Sequence, residues 1–230
     1  MFRIASYNIR KSIGLDYRRD PLRVLGVVNS LAADIVALQE VDRRFGTRKS
    51  SIPAALLKDE TDYFALDVAT RNGSIGWHGN AILLRRGTRV TRISRIDLPG
   101  LEPRGAGSAD LALASGPLRV VGLHLGLRSK DRRAQSAALV EHLKTLPDMP
   151  AIVIGDFNEW SQQGRNLTAL HSVLDMHVPG RSYPTQRPVA QLDRIAHSRD
   201  LRVENSAVHR CKSAARASDH LPIWADMARA

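Results

Sequence analysis

Ala151-Ile152-Val153-Ile154-Gly155-Asp156-Phe157-Asn158 is a short apolar run rich in β-branched residues that stops at glycine and passes directly to Asp and Asn. Such a run reads as a β-strand, Ala151–Gly155, whose end presents polar side chains. The same pattern recurs outward in both directions, at Phe2–Ile9, Asp34–Gln39, Tyr63–Ala69, Asn80–Arg85, Leu118–Leu125, Leu192–His197 and Leu221–Met227. Two helices are expected between these runs. One starts at Asp20-Pro21, a capping residue followed by proline at the first helical position, and reaches about Ala32. The other starts near Ser129 and carries Ala138, Leu139, Leu143 and Leu146 at helical spacing. A weaker helical pattern covers Leu167–Leu174. Many strands and few helices, without a linker or internal repeat, predict two β-sheets packed face to face with helices on their outer faces.

Bulk properties set the frame for function. The 230 residues suit one domain with a sizeable core, and 43 % hydrophobic with 25 % charged residues is an ordinary globular balance. No stretch is long and apolar enough for a membrane span, and the N-terminus lacks a signal-peptide pattern, so a cytoplasmic protein is expected. Cys211 is the single cysteine, which excludes disulfides within the chain and argues against a cysteine zinc site. The formal charge is +11, carried mostly by arginine, whose planar fork suits phosphate oxygens. Serine-hydrolase, zinc-protease and nucleotide-loop motifs (Gly-x-Ser-x-Gly, His-Glu-x-x-His, Gly-x-x-x-x-Gly-Lys) do not occur.

Residues able to hold a metal or a phosphate gather at the ends of the apolar runs: Asn8, Glu40, His124, Asp156, Asn158, Asp193, Asp219 and His220. Singly, each has a plain structural alternative. Asp and Asn after a strand form turns, Glu40 can be a solvated strand-end charge, and His124 can be a hydrogen-bonded core histidine. The ordered set is more informative. Ser6-Tyr7-Asn8, Leu38-Gln39-Glu40-Val41, Gly79-Asn80-Ala81, Gly122-Leu123-His124, Gly155-Asp156-Phe157-Asn158, Leu192-Asp193-Arg194-Ile195 and Ser218-Asp219-His220-Leu221-Pro222 together resemble the endonuclease/exonuclease/phosphatase superfamily, the DNase I-like proteins. The resemblance runs from Asn8 to Pro222, and Gly-Asp-Phe-Asn and Ser-Asp-His-Leu-Pro are its most specific segments.

This resemblance implies a four-layer α/β/β/α sandwich of two mostly antiparallel sheets, formed by one domain over residues 1–230, with the site at one end of the sheets. It implies roles as well. Glu40 is then the main carboxylate for Mg²⁺ or Mn²⁺, with Asn8 beside it and Asp219 completing the set. Asp156 orients or deprotonates the attacking water, and Asn158 holds a phosphate oxygen. His220 meets the scissile phosphate and is positioned by Asp193. His124 takes a place where some members carry tyrosine, Asn80 supports the phosphate-binding network, and Arg104, in an Arg-Gly-Ala context, is a candidate phosphate contact. Hard oxygen donors fit Mg²⁺, and a bound divalent cation stabilises the charge that builds up in an in-line displacement.

Basic residues follow the site segments: Arg10, Lys11, Arg18 and Arg19 after Asn8; Arg43, Arg44, Arg48 and Lys49 after Glu40; Arg128, Lys130, Arg132 and Arg133 after His124. A positive rim of this kind draws in anionic substrates. Trp160 either lines the cleft or packs under its loop. The expectation is a phosphoesterase acting on a phosphodiester, with two substrate classes open: nucleic acid, and a phospholipid headgroup or inositol phosphate. A basic face suits anionic membrane surfaces as well as DNA, so a position peripheral to the inner face of the membrane accompanies the second class. A non-catalytic binder on the same fold is the third reading, and no protein partner is evident.

Overall fold

The computed structural model describes residues 1–43 and 49–230; Arg44 and Arg48, two of the expected rim cations, lie outside the described residues. Among the described residues, twelve strands and five α-helices follow in the order β1 (Phe2–Asn8), α1 (Pro21–Ser30), β2 (Ile35–Gln39), α2 (Ala54–Glu60), β3 (Tyr63–Ala65), β4 (Ala81–Arg85), β5 (Arg89–Leu98), β6 (Arg104–Leu113), β7 (Gly116–His124), α3 (Ser129–Lys144), β8 (Ala151–Asp156), α4 (Thr168–His171), β9 (Asp175–His177), β10 (Asp193–His197), β11 (Leu201–Val208), α5 (Ala214–Ala217) and β12 (Ile223–Arg229). They form two six-stranded sheets, ordered β11-β12-β1-β2-β4-β3 and β5-β6-β7-β8-β10-β9. Each sheet is antiparallel except for one central parallel pair, β1 with β2 and β7 with β8. A parallel pair needs a crossover, and α1 and α3 supply them.

Three apolar clusters separate four layers. Ile4, Ile35, Ile82, Val120, Ile152 and Ile154 meet between the sheets. Alternate residues of the same strands point the other way: Ala5, Val36 and Leu38 pack with Val24 and Val28 of α1, and Val121, Leu123 and Val153 pack with Leu139 of α3. The central strands are therefore apolar on both faces, which is why they read as unbroken runs. Asp20 caps α1 as expected, accepting from the Arg23 N–H at 3.0 Å. Among the described residues no helix is long and apolar enough to cross a membrane.

Three long strands that pattern reading missed, β5, β6 and β11, lack the unbroken apolar run of a central strand. β5 and β11 are edge strands with polar, exposed residues on one face, and each carries an irregular register against its neighbour. β6, Arg-Gly-Ala-Gly-Ser-Ala-Asp-Leu-Ala-Leu, is built mainly of small residues, so β-branched content gives no signal. The expected strand Tyr63–Ala69 ends at Ala65, and the expected helix Leu167–Leu174 contracts to Thr168–His171.

Gly155 governs the spacing of the two strands that carry His124 and Asp156. It pairs with Leu123, has φ +155°, and a Cβ there would lie 2.0 Å from the Leu123 carbonyl oxygen. Gly155→Ala should therefore destabilise the fold by about 2–4 kcal/mol, as for other substitutions that force backbone strain. Denaturant unfolding midpoints of the two proteins measure this.

Candidate active site

Both parallel pairs end on the same side of the sandwich. β1 delivers Asn8, the residue after β2 is Glu40, β7 delivers His124, and β8 delivers Asp156. Asp193 opens β10 directly opposite Asp156, and Asp219-His220 precede β12. A cleft of about 720 Å³ opens there, lined by Asn8, Glu40, His124, Asp156, Asp219 and His220 among others.

Asp156 is the meeting point. Its Oδ2 accepts from Asn8 Nδ2 at 3.0 Å and lies 3.4 Å from His124 Nε2 and 3.7 Å from His220 Nε2. Its Oδ1 accepts from the Asn158 N–H at 2.9 Å. Asn158 has a left-handed backbone, φ 49°, and its Nδ2 donates to the Leu125 carbonyl at 2.9 Å, which turns the chain around the carboxylate. Glu40 also has a positive φ, 57°, and its carbonyl accepts from the Lys11 N–H at 3.0 Å. Four non-glycine residues of the cleft, Lys11, Glu40, His78 and Asn158, are held in this costly region, a common mark of functional geometry. Ser218 Oγ closes the far side, donating to the Asn8 carbonyl at 2.6 Å.

The two histidines are tuned in opposite directions. Burial would push His220 down, but the carboxylates of Asp193 and Asp156 outweigh it and raise its pKa to about 10. Its Nδ1–H donates to Asp193 Oδ2 at 2.9 Å, and Asp193 also accepts from Ser182 Oγ. Burial dominates at His124, with Arg104 reinforcing it and Asp156 opposing it, and the pKa falls to about 4. At neutral pH His220 is a cation and His124 a neutral ring. The His220 contribution to stability is thus fully present below its ordinary value of 6.5 and fades as pH rises through about 10.

The Glu40 carboxyl is held below its ordinary value: burial pushes it up, but the pull of the His124 ring when protonated, of the Lys11 ammonium and of the His220 cation more than reverses the shift. The Lys11 ammonium forms an ion pair with its Oε2, and Arg10 Nε lies 3.5 Å from Asp219 Oδ2. The carboxylates of Glu40 and Asp219 and the Asn8 amide are hard oxygen donors on one cleft wall, the chemistry that suits Mg²⁺ or Mn²⁺. Another set is more compact: Asp156, Asp193 and His220 have ligand atoms within 4.8 Å of one another, close enough to hold a metal ion. There the His220 proton already bridges to Asp193, and the cationic ring has no free lone pair.

The remaining expected residues divide. Arg43 and Arg104 line the cleft, Arg104 held by Glu102 at 2.7 Å. Trp160 lines it too and is 62 % exposed, so it does not pack under its loop. Asn80 is buried; its Nδ2 donates to the Gly105 carbonyl at 2.8 Å, steadying the strand that carries Arg104. Arg132 is not a rim cation, because it is buried against Glu159 at 3.4 Å. Sequence reading did not single out Arg71, Tyr183, Ser182 or Ser218. Ser218 stood within the quoted Ser-Asp-His-Leu-Pro segment, but Arg71 and Tyr183 reach the cleft from irregular segments without any pattern.

The chain belongs to the endonuclease/exonuclease/phosphatase family, whose family model matches residues 5–220. Members of this family are hydrolases acting on phosphate esters. The chain is 30 % identical to the YbhP protein of Escherichia coli K12, covering 98 % of this chain and 96 % of that one. Its fold is that of the mannosyl-6-phosphatase Bt3783 of Bacteroides thetaiotaomicron (TM-score 0.75, 20 % identity, 99 % of each chain). It is equally that of D. rerio TDP2 complexed with a single-strand DNA product (TM-score 0.75, 19 % identity, 98 % of each chain).

Removing the Asp193 charge while keeping its shape should lower the His220 pKa, because only Asp156 and Asp219 are then left to oppose burial. In Asp193→Asn the ring should lose most of its charge by pH 8, whereas the unaltered protein keeps it. Histidine NMR titration reads this, and a ring still fully cationic in the variant at pH 8 would refute the pairing.

Proposed function

We propose that the protein hydrolyses a phosphodiester with an activated water, assisted by Mg²⁺ or Mn²⁺ held by Glu40, Asn8 and Asp219. One observation carries the reading: the Asp156 carboxylate lies within 3.0–3.7 Å of Asn8, His124 and His220 at the base of an open cleft. A carboxylate so placed orients a water and accepts its proton as the water attacks phosphorus. His220, cationic through Asp193, donates to the phosphoryl oxygens on which charge develops. Neutral His124 donates one hydrogen bond without adding charge, and Asn158 turns its amide toward a phosphate oxygen once substrate enters. Arg104 and Arg43 offset the charge of the incoming ester. The divalent ion, when bound, supplies Lewis-acid polarisation of the phosphoryl group.

The likeness to a sugar-phosphate phosphatase and to a DNA-product complex leaves the alcohol open. A phospholipid headgroup or inositol phosphate is the second reading, favoured by the cations Arg43, Arg71 and Arg104 that line the cleft.

Two outcomes are expected. Glu40→Gln should keep the fold and lose most Mg²⁺ affinity; calorimetric titration giving equal affinities would remove Glu40 from the metal set. Asp156→Asn should lower turnover of a chromogenic phosphodiester by about 10²–10⁴-fold, with a melting temperature close to that of the parent; retained turnover would overturn the role of Asp156.

A further inference from the structure

Trp160 stands out among the exposed large apolar residues because buried charge holds it in place. The carbonyls on either side of it, of Glu159 and Ser161, both accept from Arg194 Nη2, at 2.8 and 2.7 Å. Arg194 is only 1 % exposed. The Glu159 carboxylate, also buried, accepts from Asn166 Nδ2 at 2.7 Å and from the Ser161 N–H at 2.8 Å, and Arg132 lies beside it. Arg132 also donates to the Leu127 carbonyl at 2.6 Å. Burying guanidinium groups is costly unless each is well paired, so this clasp is a substantial device for keeping a tryptophan in water.

The indole faces the chemistry. Its ring meets Tyr183 edge-on at 6.1 Å, and Tyr183 in turn lies against His220 at 4.7 Å. An aromatic path thus leads from the imidazole proposed to meet the phosphate to an open indole on the cleft wall. A bilayer anchor would need apolar neighbours projecting with it, yet Trp160 is followed by Ser161-Gln162-Gln163, and Leu127 by Arg128-Ser129-Lys130.

We propose that Trp160, fixed by the Arg132–Glu159–Arg194 clasp, is a stacking shelf for a planar ring carried on the phosphate ester, so that the substrate is of nucleotide type. The proposal rests on the phosphoesterase reading for the position of the phosphate. Its occupant follows from the flat, rigid, exposed indole, which suits a base of any identity because every base offers a π face. Cleft cations match the accompanying phosphate.

The test is a binding comparison that needs no turnover. Adenosine 5′-monophosphate and glycerol 3-phosphate, which differ by the ring, are titrated into the full chain, Trp160→Ala and Trp160→Phe. The parent should prefer the ring-bearing phosphate, and Trp160→Ala should reduce that preference by about 5- to 150-fold, the span for losing one base-stacking contact. Trp160→Phe should restore most of it. No ring preference in the parent, including no binding of either compound, overturns the shelf, as does a preference untouched by Trp160→Ala. Trp160-dependent sedimentation with anionic phospholipid vesicles and no ring preference would assign the surface to a membrane instead. Failure of the phosphoesterase reading is a separate result: no divalent-ion-dependent turnover of any ester while ring preference persists.

Discussion

The hydrogen bond from Asn8 to Asp156 joins residues 148 positions apart, one from each sheet, and the rest of the site is arranged around it. Neither sheet contains a complete site. One contributes Asn8, Glu40 and, through the turn before β12, Asp219 and His220; the other contributes His124, Asp156 and Asp193. Face-to-face packing through Ile4, Ile35, Ile152 and Ile154 therefore brings together two half-sites. Folding and site assembly are one event, because the apolar layer that stabilises the molecule also sets the distance from Asn8 to Asp156.

Within that frame the electrostatics follow from which groups are buried together. Placing Asp156 and Asp193 beside one imidazole makes His220 a durable cation, while His124, on the other side of Asp156, remains neutral. A nearly identical pair of side chains is thereby given two roles. The cost of burying Asp156 is offset by the Asn8 amide, the Asn158 N–H and the His220 cation. Arg132, Glu159 and Arg194 hold the adjoining loop backbone in the same manner.

Much of this was legible in the sequence. The central strands are buried on both faces, so Ile152-Val153-Ile154 and Val120-Val121 announce themselves as apolar runs, and polar residues at run ends stand out as Asn8, His124 and Asp156. Edge strands β5 and β11 carry no such contrast, and β6 is made of small residues. The charges were harder to place. Arg132 read as a rim cation because its partner Glu159 is 27 residues away in the chain. Trp160 could be named but not oriented, since its exposure depends on a clasp assembled from three distant segments. The groups proposed for a metal, Glu40, Asn8 and Asp219, offer oxygen donors, while the compact cluster found among the described residues is Asp156, Asp193 and His220.

In the proposed mechanism Asp156 and His220 act as one unit on a single water and phosphate. A double-mutant cycle of Asp156→Asn and His220→Ala, read as kcat/KM on a chromogenic phosphodiester with saturating Mg²⁺, tests it most directly. Groups acting on the same transition state give losses far from additive in free energy, so the double variant should be little worse than the poorer single one. A double loss equal to the product of the two single losses would contradict the account.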